Sequence, residues 1–295
     1  MQEIQNNSTD NSNLENGTSA LAESTPTKPQ RDRPHHAEKD LNYLLEKLIT
    51  KYLPLKIFCF HKSIMTKTDI GCFRNTSTVC GSDYWLLMVT ENSARIEHAV
   101  QDFASAHYNQ GAITILVHGH EAIANAVANG NRFFSRIYDK GHLLYSMDGW
   151  LSNTPVMPQP SPHDEVEAEE RYQLSISRAQ GFIHGAKECL ASQNTNVCAF
   201  MLHQAVEQCC IALIGLHLDY RCDIHNLRRL LMLTRCVSDQ SYQVFFTRRE
   251  NDEYLFNLLT KSYLNGRYSK DFFISEGELV ELMRRVKGLS GITCS

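Results

Sequence analysis

The segment from Asn196 to His217 constrains the fold more than any other part of the chain. It has helix-forming composition and no internal proline, and Val197, Phe200, Met201, Ala205, Val206, Cys209, Ala212, Leu213 and Leu216 cover most of its circumference. A helix apolar on nearly all sides belongs inside a bundle. Yet this one carries His203, Gln204, Glu207 and Gln208, which at 100° per residue share one arc of roughly 140°. A buried carboxylate or amide without a partner costs on the order of 1–3 kcal/mol or more. The arc must therefore face a polar neighbour in the core or a dimer, a nucleotide or RNA, or a metal. The metal has the least support, because no third ligand stands near His203 and Glu207.

Two later segments extend the pattern. After the helix comes Tyr220-Arg221-Cys222-Asp223-Ile224-His225-Asn226-Leu227, and Asp223 is placed to cap a new helix whose apolar positions are Leu227, Leu230, Leu231 and Leu233. Arg221 and His225 then sit at its positive end, an arrangement that suits a phosphate, although capping alone also accounts for Asp223. Farther on, Leu258 to Tyr268 closes a helix containing Tyr263-Leu264-Asn265-Gly266-Arg267-Tyr268. A last helix is opened by the capping box Ser275-x-x-Glu278 and carries Leu279, Leu282, Met283, Val286 and Leu289 on one packing face.

This ordered set, His203-Gln204-Ala205-x-Glu207, then His225-Asn226-Leu227, then Tyr263 to Tyr268, then a capped terminal helix, resembles the HEPN family of α-helical domains and in particular its sacsin-like branch. The resemblance covers roughly residues 165–293. It implies a bundle of about five helices that dimerises, in a family of nucleotide-binding modules and metal-independent ribonucleases. By the same resemblance Gln204 and Glu207 match the family's second-helix motif, His225 its His-Asp-Leu position, with Asn226 replacing the usual Asp, and Tyr263, Arg267 and Tyr268 its late-helix motif; with His203 of the arc and Arg221 of the helix start, these are the candidate nucleotide- or phosphate-binding residues. Ribonuclease members carry an Arg and then a His with four to six residues between them near the start of a late helix, so that the Arg holds the phosphate while the His moves a proton. Here Arg267 is followed by Phe272, Phe273 and Ile274 at that distance, and Arg221 and His225 stand too close together. Arg178 and His184 have the spacing but fall on the first helix. No catalytic residue is assigned.

The preceding segment has a different period. Leu41, Leu44, Leu45, Leu48 and Tyr52 form an amphipathic helix from Glu38. Leu55 to His61 and Asp83 to Thr90 read as buried strands, followed by a helix over Ala94 to His107, a strand over Ala112 to His118, a helix over Glu121 to Asp139 and a strand at Leu143 to Tyr145. This alternation predicts one sheet of about three to five strands covered by helices. Cys80-Gly81-Ser82-Asp83-Tyr84-Trp85-Leu86 resembles the Ser-Asp-x-Asp-Leu strand of minimal nucleotidyltransferases, as do the element order over 38–150 and the tail from Phe133 to Tyr145. In active members two Asp residues on one strand hold Mg²⁺. Asp83 occupies the first position but Trp85 the second, and Phe60-His61-Lys62-Ser63 replaces the Gly-Ser phosphate turn. The resemblance thus implies a degenerate domain, with Asp83 also readable as a turn residue, and no cofactor. His118, His120 and Glu121 form a weaker metal candidate beside a solvated-loop reading.

The expectation is an α+β two-domain chain: a disordered tail over 1–37, a nucleotidyltransferase-like α/β domain over 38–150, a Pro-rich linker over 151–164 and an all-α HEPN bundle over 165–293. The tail is rich in Asn, Ser, Thr, Pro and Glu and lacks the apolar core of a secretory signal. With 295 residues, 42% of them hydrophobic, and a net charge of −4, the chain can bury two ordinary cores and offers no positive field for duplex DNA. No membrane span is expected. Ten cysteines without a Cys-x-x-Cys pair read as thiols of a reducing cytoplasm. The functional expectation is a nucleotide- or RNA-binding, dimerising regulator. The alternatives are a metal-independent ribonuclease using Arg267 with His203 or His225, and a purely structural interaction module.

Overall fold

The computed structural model describes residues 35–71, 74–92, 95–149, 162–268 and 271–294, with side chains described except at 35–37, 67–71, 74–80, 162–165, 267 and 268. The tail and most of the expected linker lie outside these residues. Residues 33–295 form one compact unit.

The first half is a small mixed sheet with helices. Helix α1 (His35–Tyr52) leads into a hairpin of β1 (Lys56–Gly71) and β2 (Arg74–Thr90). These strands continue well beyond the short apolar runs that mark their buried ends. Then follow α2 (Glu97–His107), β3 (Ile113–Gly119), α3 (His120–Ala128), α4 (Arg132–Lys140) and β4 (His142–Ser146). The helix expected over Glu121 to Asp139 is two helices, because Gly130 adopts a left-handed φ of 82° and Asn131 caps α4 by accepting from the Phe134 N–H at 3.2 Å.

The strand order is β3-β2-β1-β4, with β2 and β3 parallel and the other pairs antiparallel. Strand alternation divides β2 between two cores. Tyr84, Leu86 and Met88 face Leu44 and Leu48 of α1 and Val100 and Ala104 of α2. Trp85, Leu87 and Val89 share the other core with Phe133, Phe134 and Ile137 of α4 and with the helical half of the chain.

That half consists of α5 (Pro162–Ala191), α6 (Thr195–Leu218), α7 (Leu227–Thr234), α8 (Gln240–Phe245), α9 (Asp252–Tyr268) and α10 (Glu276–Thr293). Helix α6 is the central member, with α5, α7, α9 and α10 packed around it. It is the one helix among the described residues that is long and apolar enough to cross a membrane, and 67% of that window is buried by its neighbours. The α6–α9 crossing is close: Ser262 Oγ donates to the Ala199 carbonyl of α6 at 3.0 Å, and a Cβ on Gly266 would meet the Asn196 carbonyl oxygen at 3.0 Å. The capping box forms as expected, Ser275 Oγ accepting from the Glu278 N–H while the Glu278 carboxylate accepts from the Ser275 N–H at 2.7 Å.

One capping expectation is corrected. Residues 219–226 are non-helical, and Asn226, not Asp223, caps α7 by accepting from the Arg229 N–H at 3.1 Å. An Asn directly before the first apolar helical residue reaches the third N–H, whereas Asp223 stands a turn too early.

Candidate functional site

In the polar arc of α6 His203 and Glu207 are buried and Gln204 and Gln208 half-buried, and different elements meet it at its two ends. His203 is 1% exposed and Glu207 is 5% exposed. The His203 ring lies 5.0 Å from that of Tyr263 on α9, tilted by 32°, and its Nδ1 is 3.3 Å from Gln204 Nε2. One turn along, Glu207 Oε1 is 3.1 Å from Nδ1 of His225, a surface residue of the segment leading into α7. Glu207 Oε2 and Gln208 Oε1 are buried and accept no hydrogen bond among the described residues. The result is a strip running from Tyr263 through His203 and Glu207 to His225.

The other expected site residues divide between the two ends of α6. Arg267 and Tyr268 belong to α9, but their side chains lie outside those described. The neighbouring Gly266 fixes their end of α9 against Asn196, at the start of α6. Arg221 sits beyond the other end, where its Nη2 is 3.6 Å from Glu167 of α5 in a cavity of about 480 Å³ that Asp219 also lines. From Asn196 to Asp219 α6 extends about 35 Å at 1.5 Å per residue. The structure therefore brings His203, Glu207, His225 and Tyr263 together and leaves Arg221 apart from the Arg267 end, too far for one phosphate to bridge.

Asp83 occupies a different setting. It is 1% exposed, its Oδ2 accepts from Arg235 Nη1 at 2.6 Å, and its Oδ1 accepts from the Ala112 N–H at 2.7 Å. Arg235, in the turn after α7, also donates to Asp239 at 2.7 Å and lies 5.4 Å from the Trp85 ring centre. Trp85 itself donates from Nε1 to the Met232 carbonyl at 2.7 Å. Thus both residues of the strand motif are tied to the helical half. A Mg²⁺ at Asp83 would have to displace a buried guanidinium, and Trp85 supplies no ligand. The donor set does not fit the ion.

Two more contacts join the halves. Arg229 Nη2 donates to Glu97 at 2.9 Å and to the Ile115 carbonyl at 2.8 Å, while its Nε and Nη1 are buried without partners beside a cavity of about 360 Å³. His118, the weaker metal candidate, instead places Nε2 2.9 Å from the Tyr220 hydroxyl and its ring edge against Phe134. Burial lowers the His118 pKa and raises that of Tyr220 well above the ordinary phenol range. The cysteines among the described residues are free thiols. Burial pushes Cys209 up to about 12 and leaves Cys210 well above its ordinary range, so both are protonated and unreactive in the core.

The sequence reading missed Arg229 and Arg235. Both look like ordinary exposed cations of an amphipathic helix, and only the pairing with Glu97 and Asp83, more than a hundred residues away, marks them.

The α-helical half, with a polar strip set into its central helix, defines a class of helical bundle. Residues 172–293 match the family model of the HEPN domain, and this part of the chain is a HEPN domain. No curated protein matches the chain.

Proposed function

We propose that this protein is a nucleotide- or RNA-binding regulator that dimerises through its HEPN domain, of the sacsin-like branch, in the cytoplasm. In this reading residues 38–150 are a nucleotidyltransferase-like domain without transfer activity, joined by a linker at 151–164 to the helical domain at 165–293. The observation that carries it is Glu207: a nearly fully buried carboxylate with one oxygen held by exposed His225 and the other accepting nothing. Leaving such an oxygen unpaired costs about 1–3 kcal/mol. That cost is offset when a ligand, or a second copy of the chain, brings a donor to the strip.

The rest of the strip suits a nucleotide. Tyr263, half-buried beside His203, offers a ring on which a base stacks. Arg267 follows Tyr263 by one helical turn, and a guanidinium holds two phosphate oxygens at once. Gln204, Tyr268 and His225 complete the set, with Arg221 contributing only to a longer RNA. The fixed Asp83 and the indole at Trp85 argue against Mg²⁺-dependent transfer, so no cofactor is assigned.

Calorimetric titration with ATP, GTP and a short RNA tests the reading. Binding should weaken with salt, and Arg267→Ala should weaken it about tenfold or more without lowering the melting temperature. Unchanged affinity in that variant refutes the site. RNA cleavage abolished by Arg267→Ala would favour the ribonuclease alternative, with His203 or His225 moving the proton. A split dimer and no ligand binding would favour the purely structural one.

A further inference from the structure

A second site lies at the opposite end of α6. There the cleft between α4, β1 and the end of α6 encloses about 270 Å³. Its wall is set by a local irregularity: β1 pairs Cys59 with Leu86 and His61 with Trp85, so Phe60 is an extra, bulged residue. The bulge leaves both Phe60 and His61 lining the cleft. Opposite them Arg132, Arg136 and Lys140 recur every four residues along α4 and so share one face. Leu216 and His217 of α6 close the far side.

The charges do not cancel. Among the described residues Asp219 is the one acid lining the cleft. Its Oδ2 already accepts from the Arg132 N–H at 3.0 Å and lies 3.7 Å from Arg132 Nε, while its Oδ1 is 3.9 Å from Arg171. Among the described residues Arg136 and Lys140 have no acid partner. Burial, with the nearby Arg235 guanidinium, holds the His61 pKa below its usual range, so this ring offers a hydrogen bond without charge. Two uncompensated cations thus stand over a floor of Phe60, Phe133, Ile137 and Leu216. An inorganic anion alone would leave that apolar floor unfilled. A volume near the lower end of the range for small-molecule pockets suits a ligand no larger than a mononucleotide.

We propose that this cleft binds a phosphomonoester with an aromatic or apolar body, the phosphate held by Arg136 and Lys140 and the body resting on Phe60 and Leu216. Such a ligand touches β1 and α4 of the sheet half and α6 of the HEPN domain together. Its binding therefore stabilises their docking, by preferring the state in which both walls are present. The site is independent of the strip at His203, which lies about 21 Å back along α6 from His217 at 1.5 Å per residue.

The test is calorimetric titration of the full chain with adenosine monophosphate, adenosine and inorganic phosphate. The monophosphate should bind at least tenfold more tightly than either of the other two. Because Arg136 and Lys140 are exposed, the double variant Arg136→Gln, Lys140→Gln should keep its melting temperature and lose about tenfold or more in affinity. Arg136→Glu should lose more, and Arg267→Ala should retain this binding. Absence of monophosphate binding to the wild type overturns the proposal. So does equal binding of inorganic phosphate, or a loss seen in Arg267→Ala but not in the double variant. Failure of the Arg267 site with retention of this one would refute the proposed function while leaving this cleft intact.

Discussion

Arg235 reaches from the turn after α7 into the sheet half and places Nη1 2.6 Å from the buried Oδ2 of Asp83, 152 residues earlier in the chain. Both side chains are withdrawn from water, at 8% and 2% exposure. Removing either partner leaves the other charge buried and uncompensated, a change that costs roughly 3–5 kcal/mol. Arg235→Ala and Asp83→Ala should therefore each lower the melting temperature strongly. The double variant should cost less than the sum of the two. Purely additive losses in a double-mutant cycle would show that the pair is not coupled.

The same contact bears on chemistry. With Asp83 committed to Arg235 and Ala112, and Trp85 to Met232, the sheet half should not transfer nucleotides. Incubation with a labelled nucleoside triphosphate and Mg²⁺ should leave protein and RNA unlabelled. Labelling that disappears in Asp83→Asn would overturn this expectation.

Self-association should be visible at micromolar concentration. The HEPN resemblance implies a dimer, and Phe273 and Leu264 are 80% and 60% exposed on the helical half. Light scattering on the full chain should give twice the mass of one chain, and a monomer would contradict it.

Glycine substitutions separate helix propensity from packing. At Gly181, within α5, an added Cβ meets nothing within 4 Å. Gly181→Ala should stabilise by about 0.5–1 kcal/mol through the better helix former. At Gly266 the added atom meets backbone, the Asn196 carbonyl oxygen at 3.0 Å, a tight contact that α9 or the start of α6 relieves only by shifting a few tenths of an ångström. Gly266→Ala should destabilise despite the same propensity gain, and thermal melts showing equal effects at both sites would reject the close crossing.

Acid should weaken the α9–α10 contact. Burial alone would raise the Asp252 pKa, but the Arg249 N–H, Arg285 and Thr247 together hold it below the ordinary range. Hydrogen bonding to Arg284 and then Arg285 holds Glu281 at about 2 despite partial burial. A carboxylate with a depressed folded-state pKa contributes stability above its unfolded value of about 4 and loses it as pH falls through the folded value. Stability should therefore fall between about pH 4 and 2. Asp252→Asn should be less stable than wild type at pH 7, and the gap should shrink toward pH 2. A constant gap across that range would show that Asp252 does not contribute through its charge.

The sequence by itself determined the two kinds of architecture and most of the elements, but not the break that splits α3 from α4 or the full length of the β1–β2 hairpin. The all-round apolar surface of α6, the Ser275 to Glu278 capping box and the continuous apolar run of Asp83 to Thr90 in β2 are local patterns, and each formed where the sequence placed it. The polar arc was legible for the same reason, since four residues on one helix face need no tertiary information to be grouped. Tertiary structure alone decided what meets that arc, pairing Glu207 with His225 and His203 with Tyr263, and separating Arg221 from the Arg267 end by the length of α6. It also decided that Asp83 and Trp85 hold the helical half rather than a ligand, and that one face of the sheet shares its core with the bundle. Periodicity reports which side of an element is buried. Which distant charge comes to lie against that side depends on how whole elements dock, because a buried ion pair or an orphaned oxygen belongs to two segments at once and to neither sequence alone.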